Sequence, residues 1–76
     1  PSRLYWAGRP AMRVVQALYW MKDTLTSERS LVLSKLTKVL ADPVHGATIR
    51  RDLLEGFNVL PAWMQGLIRE LPGCDL

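Results

Sequence analysis

Apolar residues recur at spacings of three and four in four separate stretches of this 76-residue chain. Such spacing places side chains on one face of an α-helix, whereas a half-buried strand alternates every second residue. The stretches predict helices near residues 10–24, 27–41, 46–55 and 61–71. Because each helix has a single apolar face, the four must pack against one another. The sequence therefore predicts an all-α fold, a small bundle of about four helices forming a single helical domain over residues 1–76.

The boundaries of the first two helices carry recognisable residues. Pro10 suits the first position of a helix, and Thr26 or Ser27 can accept a hydrogen bond from an unpaired N–H of the second. The pair Asp42-Pro43 ends the second helix, because the residue before a proline avoids the helical conformation. The following "DPVHG" is either a turn or a first helical turn capped by Asp42.

Glycine and proline also delimit the last two helices and the N-terminal segment. Gly46 weakens the start of the third helix, and Gly56 is expected in the left-handed conformation just after its end. Pro61 opens the fourth helix. Residues 1–8 show no helical period, so we expect an irregular or extended arm there, with a strand possible by composition.

The centres of the four apolar stripes give the expected core. It comprises Leu18, Leu36, Ile49, Leu53, Met64, Leu67 and Leu71. Trp63 falls at the edge of the last stripe, where core packing is the expected role.

Composition narrows the class of protein. Hydrophobic residues make up 49% and charged residues 22% of the chain, which favours folding over disorder. The net charge of +3 supports at most weak attraction to polyanions. Cys74 has no second cysteine to pair with, which favours a reducing, cytoplasmic setting. No apolar run reaches the roughly 18 residues of a membrane span, and the start at Pro1 suggests a C-terminal fragment of a longer protein.

Trp20 is the unusual residue of the first helix. Helical geometry places it nearly opposite the apolar stripe, in line with Arg13 and Gln16. A tryptophan beside arginine and glutamine is typical of a protein-interaction surface. The alternative is that a preceding part of the polypeptide, or the "RLYW" segment of residues 3–6, covers it.

Scattered arginines form the second candidate site. Arg9, Arg50 and Arg51, with Arg3 and Arg13, could contact phosphates. The alternative is that these arginines have structural roles. Arg51 would then pair with Glu55 one helical turn later. The aliphatic part of Arg50 would cover the core while its guanidinium reaches outward.

Catalytic, cofactor and metal sites are not predicted. His45 has no histidine, cysteine or acidic partner at ligand spacing, and the serines lack the histidine and carboxylate of a nucleophilic site. We therefore expect a protein that acts by binding a partner and not as an enzyme.

A family resemblance rests on the order of three short sequence motifs: "QAL" at Gln16–Leu18, "RRDL" at Arg50–Leu53 and "PAW" at Pro61–Trp63. Over about residues 7–71 the chain resembles the C-terminal helical region of AbiEi-like antitoxins of bacterial type IV toxin–antitoxin systems and related predicted transcriptional regulators. The resemblance implies a nucleotidyltransferase-like toxin as partner. In that family promoter DNA is bound by an N-terminal winged helix-turn-helix domain, which these 76 residues do not contain.

The sequence thus predicts a non-catalytic protein-interaction or regulatory domain without a cofactor. Its partner would be such a toxin or a second copy of the chain. The alternative is a helical nucleic-acid-binding domain, although DNA binding by these residues alone is expected to be weak and nonspecific.

Overall fold

The computed structural model of the chain describes residues 2–74, with side chains from Leu4 onward. Its described part is helical without strands, which confirms the all-α prediction. Short 3₁₀ turns at Lys22–Thr24 and Phe57–Val59 follow the second and fourth helices. The α-helices are α1 (Ser2–Trp6), α2 (Met12–Trp20), α3 (Leu25–Leu40), α4 (Gly46–Glu55) and α5 (Ala62–Arg69). The four longer ones, α2 to α5, overlap the four predicted helices.

The apolar stripes of these helices meet in one core. Six of the seven predicted core residues are buried, and Ile49 is only partly buried at the edge of the core. The core also takes in residues that the stripes did not single out. These include Trp6, Phe57, Leu60 and Cys74.

The N-terminal segment differs from the prediction. Residues 2–6 form helix α1, and Trp6 is only 2% exposed, so the irregular or extended arm predicted for this segment is wrong. The rings of Tyr5 and Trp6 meet edge to face, with centroids 4.9 Å apart. Five residues are too few to show a helical period, and helices this short are stabilised mainly by packing. Burial of Trp6 in the core therefore explains why residues 2–6 are helical although their sequence shows no helical period.

Gly56 is needed for a different reason from the one predicted. Its φ of −94° lies outside the left-handed region, so the expectation of a left-handed glycine is wrong. A Cβ atom at Gly56 would lie 2.5 Å from Cη2 of Trp6 and 2.6 Å from Cε1 of Tyr5. The absence of a side chain therefore lets α1 approach the end of α4.

Helix α3 begins without the predicted side-chain cap. The 3₁₀ turn at Lys22–Thr24 leads straight into it, and the carbonyl of Met21 accepts the N–H of Leu25 at 3.2 Å. Because the preceding turn already supplies an acceptor, neither Thr26 nor Ser27 serves as the cap. Glu28, at φ −133° and ψ 39°, interrupts the helix near its start.

The segment after α3 is a turn organised by Asp42. Its Oδ2 accepts hydrogen bonds from the N–H groups of Val44 at 3.2 Å and His45 at 2.6 Å. Helix α4 then begins at Gly46. Of the two alternatives for this segment, the turn is the one observed: Asp42 accepts its hydrogen bonds within the turn, and α4 begins without a side-chain cap.

Candidate protein-interaction surface

An apolar groove runs between α2 and α3. Its volume is about 240 Å³, which lies below the range of about 300–1,000 Å³ typical of small-molecule pockets. An apolar cavity of about 150 Å³ accommodates a benzene ring, so the groove has room for one or two side chains. The groove is lined by Arg13, Val14, Ala17, Leu18 and Met21 of the α2 side and by Val32, Lys35, Leu36 and Val39 of α3.

The charges on the groove are all of one sign. Arg13 and Lys35 are its only charged lining residues, and both are exposed. Neither forms an ion pair with any residue that the structure describes. The groove therefore combines an apolar floor with two cations whose charges are not neutralised by contacts within residues 2–74.

Trp20 does not line this groove and points into solvent. It is 84% exposed, the largest exposed fraction among the big hydrophobic side chains described. Ala17 lies three positions before it and Arg13 seven, and these spacings place all three on neighbouring rows of α2. The predicted outward orientation of Trp20 is confirmed. We call Trp20 together with the groove the α2–α3 surface.

Two other predictions concern the residues near Trp20 and whether any part of the chain covers its side chain. Gln16 and Arg13 are exposed next to it, as their helical spacing indicates. The alternative that residues 3–6 cover Trp20 is wrong for the part of that segment whose side chains are described. Tyr5 and Trp6 pack around Gly56 instead, and Leu4 is itself exposed.

The structure does not bring together the arginines predicted to contact phosphates. Arg9 makes its contacts within the protein. Its Nε donates a hydrogen bond to the carbonyl of Tyr5 at 2.8 Å, and its guanidinium lies 4.1 Å from the centre of the Tyr5 ring. Its Nη1 is also 3.7 Å from Oδ1 of Asp52. These contacts direct the guanidinium toward α1 and α4.

Arg50 is likewise turned toward the protein. The expectation that its guanidinium reaches outward is wrong, because Nη2 donates to the carbonyl of Leu40 at 3.1 Å. That carbonyl belongs to the last turn of α3, where backbone acceptors lack helical partners and a cation is favoured. Arg51, by contrast, is exposed and lies 3.7 Å from Glu55, which confirms the predicted pair. The side chain of Arg3 lies outside the described residues.

Trp63 is partly buried at the edge of the core, as predicted. Its ring meets that of Tyr19 edge to face at 5.7 Å, and Nζ of Lys22 lies 5.5 Å from the ring centre. Trp63 thus joins α5 to the end of α2.

The groove itself was not apparent from sequence. Val14, Met21 and Val39 lie on the apolar stripes of the first two predicted helices, yet the first two are only partly buried and Val39 is exposed. A periodic pattern identifies an apolar face but not how completely another helix covers it.

The described residues contain no group of three or more His, Cys, Asp or Glu positioned to hold a metal ion. Within the same residues, no helix combines the length and the apolar character needed to cross a bilayer. No family model, curated protein or solved structure matches this chain.

Proposed function

We propose that this chain is a non-catalytic protein-interaction domain that binds its partner through the α2–α3 surface. The observation that carries the proposal is the 84% exposure of Trp20 on the outer face of α2. Tryptophan offers a large contact area at little cost in side-chain entropy, and it is enriched with arginine among the residues that dominate binding energy. Arg13 and Gln16 flank it on the same helix.

The AbiEi-like resemblance makes this proposal specific. The partner would be a nucleotidyltransferase-like toxin, and the domain would act in the cytoplasm as part of an antitoxin or transcriptional regulator. Self-association is less well supported, since an isologous contact through the groove would bring Arg13 and Lys35 close to their own copies.

Nucleic-acid binding has less support than protein binding. Arg9 and Arg50, two of the three candidate arginines, direct their guanidinium groups at other parts of the fold. Arg51, the third, lies beside the carboxylate of Glu55, which weakens its attraction for a phosphate.

The test is to replace Trp20 with alanine and to measure both folding and binding. Thermal unfolding should be unchanged, because the side chain contributes little to the core. Binding to a nucleotidyltransferase-like protein encoded beside the chain should weaken by about 2 kcal/mol or more, as truncation of a dominant contact does. Sedimentation of the domain alone would show whether self-association is lost instead.

Val44→Ala is the matched control, since Val44 is also exposed, at 74%, but lies in the turn before α4. This variant should fold and bind like the parent. A Trp20→Ala protein that unfolds, or one that binds and associates unchanged, would contradict the proposal.

A further inference from the structure

We infer that the partner contributes an acidic amphipathic helix, which lies in the groove between α2 and α3. The inference rests on the proposed function and names the chemistry of the partner. The inference is based on the lining of the groove, which has an apolar floor and only two charged residues, Arg13 and Lys35.

The length of the groove sets the spacing of the apolar contacts. On α2 it runs from Val14 to Met21, and on α3 from Val32 to Val39. Seven residues of helix span about 10 Å, or two turns. A partner helix of the same span presents apolar side chains at i, i+3 or i+4, and i+7, which is the spacing used when a helix lies in an apolar groove. The volume of about 240 Å³ admits such side chains and is smaller than a typical pocket for a drug-sized ligand.

Charge decides which helix fits. Arg13 lies on the α2 side of the groove and Lys35 on the α3 side, so cations stand on both flanks of an occupant. Glutamate or aspartate beside its apolar stripe would pair with them, whereas a basic helix would be repelled. The same charges disfavour a second copy of this chain, which carries a net charge of +3.

Trp20 extends the contact beyond the groove. It follows Ala17, a lining residue, by three positions and therefore lies on the solvent side of the α2 wall. A helix in the groove would be flanked by the indole, which would add apolar contact area at the edge of the interface.

The experiment titrates the 76-residue chain with three labelled peptides that share one apolar stripe with i, i+3, i+4 and i+7 spacing. Their remaining positions carry glutamate, glutamine or lysine. We expect the glutamate peptide to bind at least about tenfold more tightly than the lysine peptide, with glutamine between them. The preference should shrink in about 0.5 M salt, because exposed charges are then screened. Amide chemical shifts should change along α2 and α3.

Charge reversal in the protein provides the second arm. Arg13→Glu with Lys35→Glu should invert the preference, so that the lysine peptide binds more tightly than the glutamate peptide. The control, Arg51→Glu, places a reversed charge on exposed α4 and should leave the preference as in the parent. Thermal unfolding of each variant establishes that it is folded.

Three results would overturn the inference. The first is equal binding of all three peptides, and the second is a set of amide chemical-shift changes confined to residues outside the groove. The third is that the chain binds none of the peptides but does bind phosphatidylserine vesicles or DNA, tested as alternative ligands. If the peptides fail but Trp20→Ala still weakens binding of the toxin, the proposed function stands and only the acidic helix is rejected. If the peptides bind as expected but Trp20→Ala has no effect on the toxin, the groove chemistry stands and the toxin proposal falls.

Discussion

Oδ2 of Asp52 in α4 accepts a buried hydrogen bond from the backbone N–H of Ala11 at 2.8 Å. Ala11 precedes the first residue of α2, so a carboxylate from one helix satisfies an N–H group at the start of another. A negative charge is also favourable at this end of the helix dipole. Asp52 is the only charged residue buried in the described part of the chain, and Arg9 lies 3.7 Å from it.

Replacing Asp52 with alanine should lower the free energy of unfolding by about 2–3 kcal/mol, because the N–H of Ala11 would remain buried without an acceptor. Asp52→Asn keeps an oxygen acceptor and should lose roughly half as much. The measurement is equilibrium unfolding in urea. Glu55→Ala on the exposed face of α4 is the control and should cost about 0.5 kcal/mol or less. Equal losses for Asp52→Ala and Glu55→Ala would show that the Ala11 contact contributes little.

Gly56 and Gly66 offer a matched pair of glycine-to-alanine substitutions with opposite expected signs. Gly56→Ala should destabilise the domain by about 1–3 kcal/mol, since the new methyl group would overlap the rings of Tyr5 and Trp6. Gly66 lies inside α5 with its nearest outside atom, Nη2 of Arg29, 3.9 Å from a built Cβ. Gly66→Ala should therefore stabilise by about 0.5–1 kcal/mol.

Double-mutant analysis identifies the cause of the Gly56 effect. In a Trp6→Ala background, Gly56→Ala should cost less than in the parent, because one of the two overlapping rings is absent. An undiminished cost would place the strain elsewhere than in the contact with α1.

Leu67 tests the core as a whole. It is fully buried in α5, so Leu67→Ala should cost about 2–5 kcal/mol and unfold much of so small a domain. Val44→Ala at an exposed position should change the free energy of unfolding by about 0.5 kcal/mol or less. A cooperative thermal transition unaffected by Leu67→Ala would disprove the core arrangement.

DNA binding should be weak, nonspecific and steeply dependent on salt. If Arg51 contributes a phosphate contact, Arg51→Ala should lower the salt slope by about 1 without affecting stability. Arg50→Ala should instead lower the free energy of unfolding by about 1 kcal/mol, because it removes the bond to Leu40, and leave the salt slope unchanged. A footprint at one defined DNA sequence would contradict this prediction.

The sequence alone predicts the four longer helices, six buried core positions and the outward orientation of Trp20. All three follow from local information: the spacing of apolar residues along one helix decides which side chains share a face. Arg51 and Glu55 were predictable for the same reason, since their pairing depends on one helical turn.

Which of those faces is covered, and what holds the helices together, depends on contacts between residues far apart in the chain. Asp52 and Ala11 are 41 positions apart, and no local pattern connects them. The helical state of α1 depends on the space that Gly56 leaves for Tyr5 and Trp6, and the direction of Arg50 depends on where α3 ends. The groove between α2 and α3 has the same origin. Periodicity marks an apolar face, but the distance to the next helix decides whether that face becomes core or remains open to a partner.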